Sequence, residues 1–283
     1  MRILGITVVK DEADIILPFL EHVRTFADRA FVYDTGSTDG TWELVQQQAD
    51  AVVVPWKRED VPFHNELRAR VFNAFRDEAR EGDWWCYRLD VDEFYLEDPR
   101  AVLESVPKRY HTVCRESIDY TVTLEDVDEY EFTGDFAVDR EHLHYMRPKM
   151  GIENRFFRHR DRAVWYEKGR STVNGIVFPK RIPIAHYRAR SPQQVQRRIE
   201  KKHAYLQRKA VEKGRKQPDE VSAYPPAPDA WKRSVPSRDR CILDTGPEAR
   251  ARLVMPSDVI RRHHETTFSY FAKRILHGTG VRP

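Results

Sequence analysis

Before residue 100 the chain alternates between two hydrophobic periods, and this alternation constrains its fold more than any other feature. Ile3 to Val9 (ILGITVV) is a short, largely β-branched apolar run bounded by charge, the pattern of a strand buried on both faces of a parallel sheet. From Ile15 the apolar positions Ile16, Phe19, Leu20, Val23 and Phe26 recur at helical spacing, with Asp14 placed to cap and Pro18 in the first turn. Strands are then expected at Ala30 to Tyr33, Ala51 to Val54 and Trp84 to Leu89, and helices from Thr41 to Gln48 and from Asn65 to Arg80. Four strands separated by three helical segments predict an α/β fold, a mostly parallel sheet with helices on both faces.

The rest of the chain mixes short apolar runs with charge. Thr112 to Arg115, Ile118 to Thr123, Arg155 to Arg158, Ala163 to Tyr166 and Arg181 to Tyr187 are expected strands. Ser191 followed by Pro192 opens a long basic helix to about Lys213. Gly214 to Arg240 is rich in proline and poor in apolar residues, and reads as a mobile linker or loop. A C-terminal helical extension is expected from about Ser257 to Leu276. The expected domains are a main part over residues 1–210 (a first half 1–100, a second half 101–190 and the basic helix from 191), the linker 214–240 and a helical segment 241–283.

Composition excludes several classes. No run approaches the roughly 18 to 20 apolar residues of a membrane-spanning helix, and Ile3 follows Met1 too closely for a signal peptide, so a cytoplasmic location is expected. The 3 cysteines, Cys86, Cys114 and Cys241, are widely spaced and form neither a disulfide framework nor a thiolate zinc site. The formal charge is +3, but basic residues crowd into Arg155 to Lys216, which suits an anionic ligand, a membrane surface or nucleic acid.

Chemistry is best located at Asp90-Val91-Asp92-Glu93, where the fourth strand ends. Residues two apart on a strand share a face, so Asp90 and Asp92 address one point beyond its carboxyl end, where open α/β sheets bind ligands. Two carboxylates there suit Mn²⁺ or Mg²⁺, and clustered acids repel one another without a cation. A solvated strand-to-turn junction is the plainer reading of an isolated D-x-D.

Val9-Lys10-Asp11-Glu12, then Asp34-Thr35-Gly36-Ser37-Thr38-Asp39-Gly40-Thr41, then Asp90-Val91-Asp92-Glu93-Phe94, and later His186-Tyr187-Arg188 before Ser191, occur in this order. This set resembles the family 2 glycosyltransferases of the GT-A fold, in the subgroup with a D-x-D-E-F block. Two positions depart from that pattern: Asp34-Thr35 stands where many members have two acids, and Asp11 where they have Asn. The resemblance implies a GT-A-type, Rossmann-like domain and an inverting, metal-dependent transfer of a sugar from a nucleotide-diphosphate donor to a glycan or other hydroxyl acceptor. It makes Thr7, Val9, Lys10, Glu12 and Asp34 candidates for base and ribose contacts. Arg70 and Asn73, three apart on the helix before the acid strand, share a face that addresses the donor, and Lys149 is a phosphate or acceptor contact by weaker similarity. Asp119, Asp135 and Glu153 are the candidate bases. His186, at the end of a short apolar strand, is the expected third metal ligand beside Asp90 and Asp92; His203, His263 and His264 lie on predicted helices and lack that setting.

Two rivals stay open. A nucleotidyltransferase shares the fold and the paired acids, but VVKDEAD has none of the glycines of a phosphate loop. A nucleic-acid-binding or non-catalytic protein would explain the basic helix from Arg197 to Lys216.

Overall fold

The computed structural model describes residues 1–166, 175–212 and 226–253, together with 272, 275 and 276; the side chains of 148–150, 211 and 212 are not described. Two compact units are formed. One comprises the described residues of Met1–Ile118, Met150–His186 and Arg252–Pro283, the other those of Asp119–Lys149 and Tyr187–Ala251.

The first unit holds the expected α/β alternation. β1 (Ile3–Val9) pairs in parallel with β2 (Arg29–Asp34) and with β4 (Trp84–Cys86), and β2 pairs in parallel with β3 (Val53–Arg58). Between them run α1 (Ile16–Arg24), α2 (Thr41–Gln47) and α3 (Leu67–Phe75). Beyond them come β5 (Glu93–Tyr95), α4 (Pro99–Glu104), β6 (Thr112–Thr121), β7 (Tyr145–Arg158) and β8 (Ile182–Ala189), in the sheet order β3-β2-β1-β4-β7-β6-β8-β5. β4 pairs antiparallel with β7, and β5 with β8.

Strand alternation sends Leu4 and Ile6 of β1, Phe31 and Tyr33 of β2 and Trp85 of β4 to one face, where they close over Leu67, Val71 and Phe72 of α3, all fully buried. Each such side chain contributes roughly 1.5 to 3 kcal/mol by leaving water, so this cluster holds β1–β4 rigidly.

The structure corrects several expected elements. Asp14 does not cap α1: the amides of Ile15 and Ile16 donate to the Glu12 carbonyl, and the cap position falls to Ile15, which makes no side-chain cap. The third strand starts later because Asp50 Oδ1 takes the amides of Val52 and Val53 at 2.7 and 2.6 Å, a local turn that competes with pairing. Thr112–Arg115 and Ile118–Thr123 merge into one strand that ends at Thr121; the polar pair between them, Glu116 and Ser117, is buried, with Glu116 in an ion pair to Arg181. Ala163–Tyr166 forms no strand, and Ala163 and Trp165 instead pack on the α3 cluster.

The second unit contains α5 (Leu124–Glu129), α6 (Phe136–Asp139), α7 (Pro192–Glu212), β9 (Ile242–Leu243), which pairs antiparallel with β7 at Tyr145 and Met146, and α8 (Pro247–Ala251). Ser191 Oγ accepts the Gln194 amide at 3.2 Å, the N-cap expected ahead of Pro192. Of the stretch read as a mobile linker, residues 214–225 lie outside the described residues. The remainder is built against α7: Gln196 accepts from the Trp231 amide and donates to the Ala227 carbonyl, and Val235 is buried. The expected C-terminal helix lies outside the described residues apart from Ala272, Ile275 and Leu276. No described helix is long and apolar enough to cross a membrane.

Candidate active site

Two groups of polar residues gather at the carboxyl ends of the parallel strands. The first surrounds Asp34 at the end of β2. Its Oδ1 accepts the amides of Gly36 and Ser37 at 2.8 and 2.7 Å, which folds DTGSTDG into a turn. Gly36 has φ 93, and a side chain there would meet Asp60 at under 3 Å, so this glycine is required twice over. Asp34 is fully buried, and its Oδ2 finds no hydrogen-bond partner among the described residues; neither does the buried Thr7 Oγ1 on β1. An orphaned buried carboxylate oxygen is costly, and such an atom marks a place for a donor from outside the chain.

The neighbouring expected residues build the loop around it. The Val9 carbonyl accepts from the Thr35 amide and hydroxyl, Lys10 Nζ donates to the Thr35 carbonyl at 3.0 Å and to Asp60 Oδ1 at 3.1 Å, and the Glu12 amide donates to Thr41 Oγ1 at 2.8 Å. Asp11, at φ 54, accepts the Thr38 amide and so ties the two loops together.

The second group is the acid pair. Regular pairing of β4 stops at Cys86, yet the Tyr87 amide bonds the Arg155 carbonyl and the Leu89 amide the Ile6 carbonyl, so the chain stays between β7 and β1 until it turns at Val91 and Asp92 into β5. Glu93 on β5 stands opposite His186 on β8, and this register brings His186 Nε2 to 3.3 Å from Asp92 Oδ2 across 94 positions of sequence. Asp90 is committed differently. Its Oδ1 accepts from Arg68 Nη2 at 2.6 Å, and its Oδ2 lies 3.7 Å from Arg155 and 3.9 Å from Arg88. Burial would raise the Asp90 carboxyl, but Arg155 and Arg68 outweigh it and hold the group below the usual carboxylate range. For the neighbouring Glu93 burial wins over the same Arg155, and its carboxyl is pushed up.

Arginines complete the group, and the sequence reading assigned them no role. Arg155, fully buried on β7, meets Glu93 at 2.6 Å; Arg115 meets Glu93 at 3.2 Å and Glu153 at 3.1 Å; Arg88 meets Glu153 at 2.9 Å. A signal was present: an arginine inside the apolar strand sequence RFFR is affordable only with a buried partner.

The other expected site residues fall elsewhere. Asn73 Nδ2 donates to the Trp165 carbonyl and Arg70 faces Tyr33 and Glu59, so it is Arg68, two residues before Arg70, that reaches Asp90. Asp119 and Asp135 belong to the second unit, where Asp135 caps α6 through the Ala137 amide; Glu153 alone among the candidate bases shares a unit with the acid pair. Lys149 lies in β7 with its side chain not described. His203 sits on α7 beside Gln207, and His263 and His264 are outside the described residues.

The residues fit a divalent cation in part. Asp92 and His186 are spaced as adjacent ligands of one ion are, while Asp90 is turned to Arg68. Among the described residues no group of three or more His, Cys, Asp or Glu converges on one point.

No family model matches the chain, and no curated protein matches it. Among solved structures it is similar to the crystal structure of S. aureus TarS 1-349, at 14% identity and a TM-score of 0.30, covering 44% of this chain and 36% of that one. The same protein in complex with UDP matches at 16% identity, with the same TM-score and coverage. The chain thus spans about a third of those structures, and what it does is read from its own residues.

Proposed function

We propose that this protein transfers a glycosyl group from a nucleotide-diphosphate sugar to a hydroxyl acceptor, with Mn²⁺ or Mg²⁺ between the diphosphate and the acid turn. The observation that carries this reading is the meeting of Asp92 Oδ2 and His186 Nε2 at 3.3 Å, a carboxylate and an imidazole brought together at the ligand-binding end of an α/β sheet. These two would hold the cation, which when bound supplies charge stabilisation to the departing diphosphate. Asp90, fixed as an anion by Arg68, presents a strong acceptor to a sugar or ribose hydroxyl. Asp34 Oδ2 and Thr7 Oγ1 receive the nucleoside, which supplies the donors they lack. Glu153 is the base we assign, because it stands with the acid turn; displacement on the opposite face of the departing group makes the reaction inverting.

A panel of nucleotide sugars incubated in Mn²⁺ and in chelator tests the reading. One donor should be hydrolysed, slowly without acceptor, in Mn²⁺ and not in chelator. Absence of binding and hydrolysis across the panel in both conditions contradicts it, and release of pyrophosphate from a nucleoside triphosphate would favour nucleotidyl transfer instead.

A further inference from the structure

The opposite end of the same sheet holds a second polar hollow, of about 510 Å³, lined by Met1, Arg2, Arg80, Glu81, Gly82, Asp83, Lys108 and Arg158. These residues precede β1, β4 and β6 or end the antiparallel β7, whereas the acid turn lies past the carboxyl ends of β1 and β4. The seven residues of β1 alone separate the two places by roughly 20 Å.

The charges in this hollow are unevenly committed. Asp83 is saturated: its carboxylate accepts from the Arg2 amide at 2.8 Å, the Arg80 amide at 3.0 Å and Arg2 Nε at 3.4 Å. Glu81 accepts the Asp161 amide at 2.9 Å. Arg80 and Lys108 make no side-chain hydrogen bond or ion pair among the described residues. Arg158 is half-buried, lies 4.4 Å over the Trp84 ring and is held by Nε on the Tyr110 carbonyl (3.2 Å) and Nη2 on the Val106 carbonyl (2.9 Å), with no carboxylate in salt-bridge range among the described residues. Burial depresses its pKa, only Glu81 opposing, which is the condition that a bound anion relieves. Three cationic side chains without a carboxylate partner therefore face one hollow whose two acids are already engaged.

We propose that this hollow is a binding site for a phosphate-bearing anion, separate from the acid turn and independent of any metal. Arg158, held in place by Trp84 and two carbonyls, is the preorganised member, and Arg80 and Lys108 close on the ligand from the rim. A second anion site at this distance suits a ligand carrying phosphate at intervals, or a small phosphorylated regulator.

The test is calorimetry with inorganic pyrophosphate on the full chain, in chelator and low salt. Saturable binding with Kd below about 1 mM is expected, weakened about 10-fold or more by Arg80→Glu with Lys108→Glu and unchanged by Asp92→Asn. Because both rim side chains are exposed and without side-chain partners among the described residues, that variant should melt with the wild type, which separates lost binding from lost folding. Repeating the titration with long-chain polyphosphate distinguishes the ligands: much tighter binding per site means an extended polyanion, equal binding a single phosphate group. No saturable binding by the wild type, equal binding by the double variant, or loss of binding in Asp92→Asn would each overturn the site. The outcome does not depend on whether a nucleotide sugar binds at the acid turn.

Discussion

The α3 face of β1–β4 and the acid turn between β4 and β5 lie in one unit and are built on opposite principles. The first is an apolar cluster, Phe72, Trp85, Phe31 and Phe157 among its members, in which any contact substitutes partly for another. The second is a chain of buried ion pairs, Arg68–Asp90, Arg155–Glu93 and Arg115–Glu93, in which each charge is tolerable only while its partner remains. The difference separates scaffold from function: apolar packing fixes where the strands end, and the ion pairs fix which way the carboxylates point once they get there.

That contrast gives its own tests. The largest expected effects are two single substitutions of similar size and different character. Phe72→Ala should lower stability by about 3 to 5 kcal/mol through the cavity it leaves. Arg155→Met should cost about as much, because it leaves the buried Glu93 with Arg115 as its one remaining cation, and adding Glu93→Leu should recover much of the loss, since Arg115 keeps Glu153. Urea melts of the three variants check this; an Arg155→Met variant as stable as wild type would show that the ion pairs are not the frame of the site.

A smaller effect is expected at His22 of α1, outside the apolar cluster and packed on Phe94 and Tyr95 beside the acid turn. Its Nε2 accepts the Tyr95 amide at 2.8 Å, an amide of β5, the last strand in the sheet order, so α1 holds the strand that follows Asp92. His22→Phe keeps the ring packing and removes the acceptor, and should weaken metal-dependent nucleotide binding about 3- to 10-fold; His22→Gln, which keeps an acceptor, should restore most of it. Equal loss in both variants would reduce His22 to packing.

The smallest effect is a pH dependence in the apolar region. His159 Nδ1 accepts from Trp85 Nε1 at 3.2 Å, and burial holds its pKa below the ordinary value. A buried imidazole kept neutral binds fewer protons than it does unfolded. Its contribution is therefore complete above the ordinary histidine pKa of about 6.5 and declines as pH falls from there towards the depressed folded value. Thermal melts from pH 7.5 to 5 should fall more steeply for wild type than for His159→Gln.

The same contrast explains what the sequence made legible. Periodicity locates β1, α1, β2 and α2 because apolar burial writes itself into the spacing of Ile, Leu, Val and Phe. The acid pair and His186 were visible as residue types at strand ends, and the pairing of β5 with β8 brings Asp92 and His186 together. What sequence could not supply was the partners of buried charge. Glu116 interrupts two expected strands that are one, and Arg70 and Asn73 were placed toward the donor where Arg68 reaches Asp90, because ion pairing across a sheet has no sequence period.

The central claim is that Asp92 and His186 form one ion-binding point for a nucleotide diphosphate. Calorimetric titration of a nucleoside diphosphate in Mn²⁺ and in chelator tests it most directly, with Asp92→Asn, His186→Ala and, as control, His203→Ala. Mn²⁺ should tighten binding, both site variants should lose about 10-fold or more of the Mn²⁺-dependent affinity while remaining folded, and His203→Ala should bind as the wild type does. Equal affinity in Mn²⁺ and chelator, or full Mn²⁺-dependent affinity in a folded His186→Ala variant, would contradict it.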